Sequence, residues 1–157
     1  MEKVLGNAGF DTYKKEEKQS ENSPRIETPS AKGKLYIIAG VSGIGKTTAV
    51  QATVRTLESQ NHPSHFLVNY TNRLPRPGES NGTDFHFVRK GKWNKVTDKL
   101  CFSYTREGFQ YGIPKECLDS VVAGRDVFIT MTTPTVFDRL TEFLDKKGIE
   151  YIPILLN

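Results

Sequence analysis

The stretch that most restricts what this chain can become is Gly40-Val41-Ser42-Gly43-Ile44-Gly45-Lys46-Thr47. It fits the pattern G-x-x-x-x-G-K-[ST], the phosphate-binding P-loop. The five apolar residues before it, Leu35-Tyr36-Ile37-Ile38-Ala39, read as a buried strand. Glycines at 40, 43 and 45 allow positive φ and bring main-chain amides close to an anion. Those N–H groups form a nest that continues into the positive end of the following helix. In this pattern Lys46 meets the β- and γ-phosphates and the Thr47 hydroxyl ligates Mg²⁺. Gly40, Ser42, Gly43, Gly45, Lys46, Thr47 and Thr48 are therefore the expected cradle for ATP, with Mg²⁺ carried in with the nucleotide.

The rest of the chain supplies the scaffold such a loop needs. A helix is expected over 46–59, with Val50, Val54 and Leu57 on one stripe. His65–Tyr70 reads as a second strand, parallel to the first across that helix. Residues 71–84 hold prolines and glycines that brace a loop carrying Arg73 and Arg76. A short strand at 85–88, a polar helix around 93–99, and strands near 100–105 and 109–112 follow. Pro114 suits the first turn of a helix whose apolar face is Cys117, Leu118, Val121 and Val122, closed by Gly124. Val127–Thr130 is another buried strand. Thr133 and Pro134 read as N-cap and first residue of a helix with a stripe of Val136, Phe137, Leu140, Phe143 and Leu144, ended by Gly148. Tyr151–Leu156 is the last strand, and its Pro153 argues for an edge or a bulge. Alternating strands and helices predict an α/β fold, a parallel sheet with helices on both faces, interrupted by smaller elements between about 70 and 112.

Residues 1–33 are rich in Lys, Glu, Ser, Asn and Pro without a sustained apolar period, and are expected to be a disordered leader. The folded domain is then 34–157. A net charge of +4 among 157 residues suits an anionic ligand and is too small to argue for nucleic acid. No apolar run approaches a membrane span and no hydrophobic signal core opens the chain, so a soluble cytoplasmic protein is expected. Cys101 and Cys117 lack C-x-x-C spacing and read as ordinary reduced thiols, and the three histidines form no metal-binding cluster.

The segment Asn69-Tyr70-Thr71-Asn72-Arg73-Leu74-Pro75-Arg76-Pro77-Gly78-Glu79, followed by Gly82-Thr83-Asp84-Phe85-His86-Phe87, resembles the acceptor-binding segment of guanylate kinases. That family reads S-x-T-T-R-x-P-R-x-G-E and then G-x-D-Y-x-F, and Tyr111-Gly112 is similar to its Y-G-T/S corner. The resemblance implies the P-loop nucleoside monophosphate kinase fold, with a phosphate-bearing acceptor held in the insertion. It assigns Arg73, Arg76 and Tyr111 to the acceptor phosphate, and Lys46, Arg73 and Arg76 to catalysis. Arginine forks match phosphate oxygens independently of any family.

The departures from that family concern the base and the ending. Phe85 stands where the family has a phosphate-binding tyrosine. Its guanine-reading positions fall at Asn69, Phe102, Ile113 and Thr130, none of them a carboxylate. Asn69, Phe85 and Thr130 remain candidate acceptor contacts. From Phe102 onward the chain also resembles ribose 1,5-bisphosphate phosphokinases, so the acceptor is expected to be a nucleotide or a sugar phosphate. Family members continue beyond the strand at 151–156 into a lid whose arginines are worth about 10³–10⁵ in rate. The expectation is accordingly a C-terminally truncated member, either a kinase or a catalytically silent module that binds nucleotide or phospholigand.

Overall fold

The computed structural model describes residues 31–132 and 134–157. Two sheets organise them. The larger is a four-stranded parallel sheet in the order β2-β7-β1-β8, formed by β1 (Leu35–Gly40), β2 (Ser64–Phe66), β7 (Asp126–Met131) and β8 (Tyr151–Leu156). Strand β1 lies inside it, aligning Ile37 with Ile129 on one side and with Pro153 on the other. Its alternation sorts side chains to two faces. Leu35, Ile37, Val127 and Ile129 face α2 (Glu116–Val122) and α3 (Phe137–Lys146), where Val121, Leu140 and Leu144 complete one core. Ile38 and Phe128 face Val50 and Val54 of α1 (Lys46–Ser59) in a second core. Burying both faces explains why these strands are nearly continuous apolar runs. The result is the α/β architecture of the P-loop NTPases, with helices on both sides of the sheet.

The smaller sheet, ordered β4-β3-β6-β5, is built from the stretch where smaller elements are expected to interrupt the alternation. It comprises β3 (Tyr70–Thr71), β4 (His86–Phe87), β5 (Leu100–Arg106) and β6 (Phe109–Pro114). β5 and β6 form a hairpin joined by Glu107 and Gly108, both with positive φ (51° and 78°). That pair of left-handed residues matches the natural twist of a hairpin and makes a rigid turn.

Several expected elements take a different form. The strand expected over 65–70 divides. β2 stops at Phe66; it runs parallel to β1 as expected, with β7 between them. The chain then crosses to pair Thr71 with Tyr111 in the smaller sheet. At the crossing the Asn69 side-chain amide donates to the Thr130 carbonyl at 2.9 Å, in the place of a main-chain ladder bond. The polar helix expected at 93–99 is two 3₁₀ turns, Trp93–Lys95 and Thr97–Lys99. So short a polar segment cannot offset the cost of nucleating an α-helix. Pro114 ends β6 instead of opening α2, and Val122 is 57% exposed, off the apolar face expected of it. Pro134 begins a 3₁₀ turn that precedes α3, while the N-cap expected at Thr133 lies outside the described residues. The same is true of nearly all of the expected leader. Its last residue, Gly33, is buried and donates its N–H to the Val121 carbonyl at 2.9 Å, so the packed region already includes it. β8 is an edge strand among the described residues, as Pro153 predicts. No described helix is long and apolar enough to cross a membrane.

Candidate functional site

The C-terminal ends of β1 and β7 open toward the smaller sheet, and the space between them is a cavity of about 390 Å³. Crevices at this end of a parallel sheet are where open α/β folds bind ligands. The floor is the glycine loop. Gly45, with φ 88°, is the N-cap of α1, and no side chain caps that helix end. A Cβ built on Gly43 or Gly45 meets nothing within 4 Å, so the loop's surface is open to the cavity. Ser42, Gly43, Gly45, Thr47 and Thr48 all line it. The exception is Gly40, which sits behind the loop and contributes a carbonyl.

That carbonyl and the one of Val41 accept hydrogen bonds from Lys46 Nζ at 2.9 and 2.6 Å. Lys46 is 7% exposed and is aimed across the loop it belongs to. Burial, and then the positive charge of Arg106, hold its pKa below the ordinary lysine value. An ammonium so placed is stabilised by an anion in front of it.

The opposite wall is the proline-braced loop. Arg73 is 8% exposed and makes a two-pronged ion pair with Glu79, both N–O distances being 2.7 Å. Its guanidinium also lies 5.0 Å from the centre of the Phe85 ring. The Arg73 hydrogen bonds hold the Glu79 carboxyl below the usual carboxylate range. Glu79 in turn accepts the Arg76 main-chain N–H at 2.8 Å, so one carboxylate fixes both arginines. Arg76 reaches over to Ser42, donating from Nη1 to Oγ at 2.7 Å. Phe85, Tyr111 and Thr130 complete the lining that the sequence anticipates. Tyr111 stacks on Tyr104 with ring centres 5.2 Å apart.

Asn69 belongs to the frame rather than the wall. It is 5% exposed, it anchors the Thr130 carbonyl, and its Oδ1 has no partner among the described residues. Phe102 also turns away from the cavity, packing 5.6 Å from Phe143 by ring centres. Arg106 and Thr132 carry no expectation from the sequence, and Glu79 and Asp84 enter it only as motif positions without a role, yet all four line the cavity. The Glu107-Gly108 turn signal could have marked Arg106 as a residue at a hairpin tip. Thr132 gave no such signal. Cys101 and Cys117 lie elsewhere as free thiols, and burial raises the pKa of Cys101 to about 11 and pushes Cys117 up as well.

The site could hold a nucleoside triphosphate with its metal. Main-chain amides at a helix N-terminus, a buried lysine and the Thr47 hydroxyl form a donor set suited to phosphates and a hard cation. Arg76, and Arg73 beside it, give the facing wall positive charge and planar guanidinium groups.

Residues 32–125 match the guanylate kinase family (Guanylate kinase). The guanylate kinase of Aster yellows witches'-broom phytoplasma (strain AYWB) is 38% identical over 101 residues, covering 62% of this chain and 46% of that protein. The guanylate kinase of Escherichia coli (strain K12) is 34% identical over 102 residues, covering 63% of this chain and 48% of its own length. The chain thus spans about half the length of these curated relatives. A crystal structure of guanylate kinase from Anaplasma phagocytophilum superposes with a TM-score of 0.58 at 19% identity, covering 80% of this chain and 60% of that one, a likeness of fold. With a family match over more than half of its residues, the chain belongs to the guanylate kinase family.

Proposed function

We propose that this chain transfers the γ-phosphoryl group of ATP to the phosphate of a nucleoside monophosphate, GMP being the acceptor named by its family. The single observation that carries this reading is that Lys46, Arg73 and Arg76 line one cavity from opposite walls. Two phosphate-bearing substrates brought to those walls have their reacting groups side by side.

The chemistry asks little of the protein beyond placement and charge. An oxygen of the acceptor phosphate attacks the γ-phosphorus, and the bond from that phosphorus to the β–γ bridging oxygen breaks. ADP leaves with the electron pair. The attacking oxygen is already anionic, so no general base is required. Gly43, Gly45 and Lys46 orient the triphosphate, and Lys46 neutralises charge that grows on the leaving side. Arg76 holds the acceptor phosphate, and Arg73, fixed by Glu79 and the Phe85 ring, holds the loop that carries it. A Mg²⁺ bound at the Thr47 hydroxyl would supply further neutralisation of the triphosphate. Positioning of this kind is the main source of rate in phosphoryl transfer.

The test is ADP formation from Mg·ATP with GMP, dGMP or UMP as acceptor, for the chain and for Lys46→Ala. ADP produced only when an acceptor is present, and lost in Lys46→Ala, is the expected result. Unchanged acceptor-dependent turnover in Lys46→Ala would refute the reading.

A further inference from the structure

Arg106 is a fourth basic residue on the cavity wall, and it comes from neither the glycine loop nor the proline-braced loop. It is the last residue of β5, paired with Phe109 across the hairpin turn. Its guanidinium is held on two sides. Nη1 donates to Thr132 Oγ1 at 2.7 Å, just past the end of β7, and Nε and Nη2 approach the Glu107 carboxylate at 3.1 and 2.9 Å. Glu107 is its chain neighbour and is 64% exposed, so that pair is a weak, water-screened one. The arginine itself is one-third exposed, and the part not engaged with Thr132 or Glu107 can meet a ligand.

Its position relative to Lys46 is the informative feature. Both line the same cavity, and the charge of Arg106 adds to burial in holding the lysine's pKa down. Like charges gathered in a partly buried cavity repel unless an anion lies between them. Arg73 has its charge matched by a carboxylate in a two-pronged bond, whereas Lys46 is bonded only to carbonyls. The charge that the cavity leaves to be neutralised by a ligand is therefore concentrated around Lys46, Arg76 and Arg106.

Building on the phosphoryl-transfer reading above, we propose that Arg106 binds the terminal phosphate of the donor nucleotide, so that the β5–β6 hairpin supplies a catalytic arginine to the transferred group. Thr132 orients its fork, and the rigid hairpin turn fixes its reach. The smaller sheet then contributes to the donor side of the reaction as well as to the acceptor.

The experiment compares Mg·ATP with Mg·ADP, because only ATP carries the phosphate that Arg106 contacts. Affinities are measured by titration calorimetry for the chain, Arg106→Ala, Arg106→Lys and Lys46→Ala, each checked by circular dichroism and thermal melting. Arg106→Ala is expected to weaken ATP by about 10–100-fold while ADP changes by less than about threefold, as for loss of a charge-assisted hydrogen bond. Arg106→Lys keeps the charge without the fork, and is expected to fall between the two. An ATP-to-ADP affinity ratio unchanged in Arg106→Ala, with Lys46→Ala still abolishing nucleotide binding, overturns the assignment and leaves the wider reading standing. A chain that binds neither nucleotide overturns both.

Discussion

The Arg76 guanidinium donates to the Ser42 hydroxyl at 2.7 Å, although 34 residues separate them in the chain. The contact ties the loop expected to hold an acceptor to the loop expected to hold the donor. Because Ser42 is a neutral partner, the charge of Arg76 stays available to a ligand.

Replacing Arg76 should therefore affect one substrate more than the other. Arg76→Ala is expected to raise the GMP dissociation constant by about 10–100-fold and to change that of Mg·ATP by less than about threefold. Equilibrium titration with each nucleotide checks it, and equal losses for both would contradict the assignment.

Lys46 gives a pH dependence. Its folded pKa lies below the ordinary 10.5, so it loses its proton at lower pH than an exposed lysine would. Triphosphate binding needs the charged form. ATP affinity should accordingly fall as pH rises, starting below 10.5, and Lys46→Arg should extend the binding plateau to higher pH. Isothermal titrations across alkaline pH read this directly.

Glu79 gives the opposite dependence. Its carboxyl is held below the ordinary 4.5, chiefly by Arg73, so it adds stability that is fully present above 4.5 and is lost as pH falls through the lower folded value. Glu79→Gln should flatten that part of the acid stability profile. It should also cost about 1–3 kcal/mol at neutral pH, because Arg73 is left buried without its partner. Urea melts between pH 3 and 7 measure both effects (about 3 and 7 bracket the usual carboxylate range).

Gly40 is restricted by a neighbouring strand. A Cβ there would lie 2.7 Å from the Leu156 main-chain oxygen, at φ 155°. Gly40→Ala should destabilise the fold by about 1–3 kcal/mol, the usual cost of overpacking. The thermal midpoint should fall correspondingly, and a midpoint like that of the parent would show β8 is free to move aside.

Two apolar residues near the same sheet should behave differently. Leu140 is 1% exposed in the core beneath β1 and β7, and Leu140→Ala is expected to cost about 2–5 kcal/mol. Val122→Ser should stay within about 0.5 kcal/mol, since Val122 faces water. Chemical denaturation of the two variants makes the comparison.

Much of this was readable in the chain because the signals are local. The apolar run before Gly40 and the glycine-lysine pattern after it mark a strand, a loop and a helix whose observed limits, Leu35–Gly40 and Lys46–Ser59, nearly coincide with expectation. The Arg73–Glu79 segment announced a braced loop through its prolines. The split at Phe66 was not legible, because the apolar residues through Leu67 and Val68 look like one strand. Beyond it one more main-chain bond, from Leu67 to Phe128, reaches β7, and then a side-chain bond from Asn69 meets a carbonyl 61 residues away. Val122 was misplaced for a related reason. A helix of seven residues such as α2 shows too little periodicity to separate its buried stripe from its edge.

The sequence by itself determined the local chemistry: a glycine-rich turn opening a helix, a lysine within it, and arginines in a stiffened loop. Residue type and spacing are sufficient for that, since backbone freedom, charge and chain stiffness act over a few neighbours. Only the tertiary structure decided that Arg76 reaches Ser42, that Glu79 holds Arg73, and that Arg106 lines the same cavity as Lys46. Those relationships depend on two sheets meeting at the ends of β1 and β7. Such meetings arise from the burial of faces drawn from distant parts of the chain, which no local pattern records.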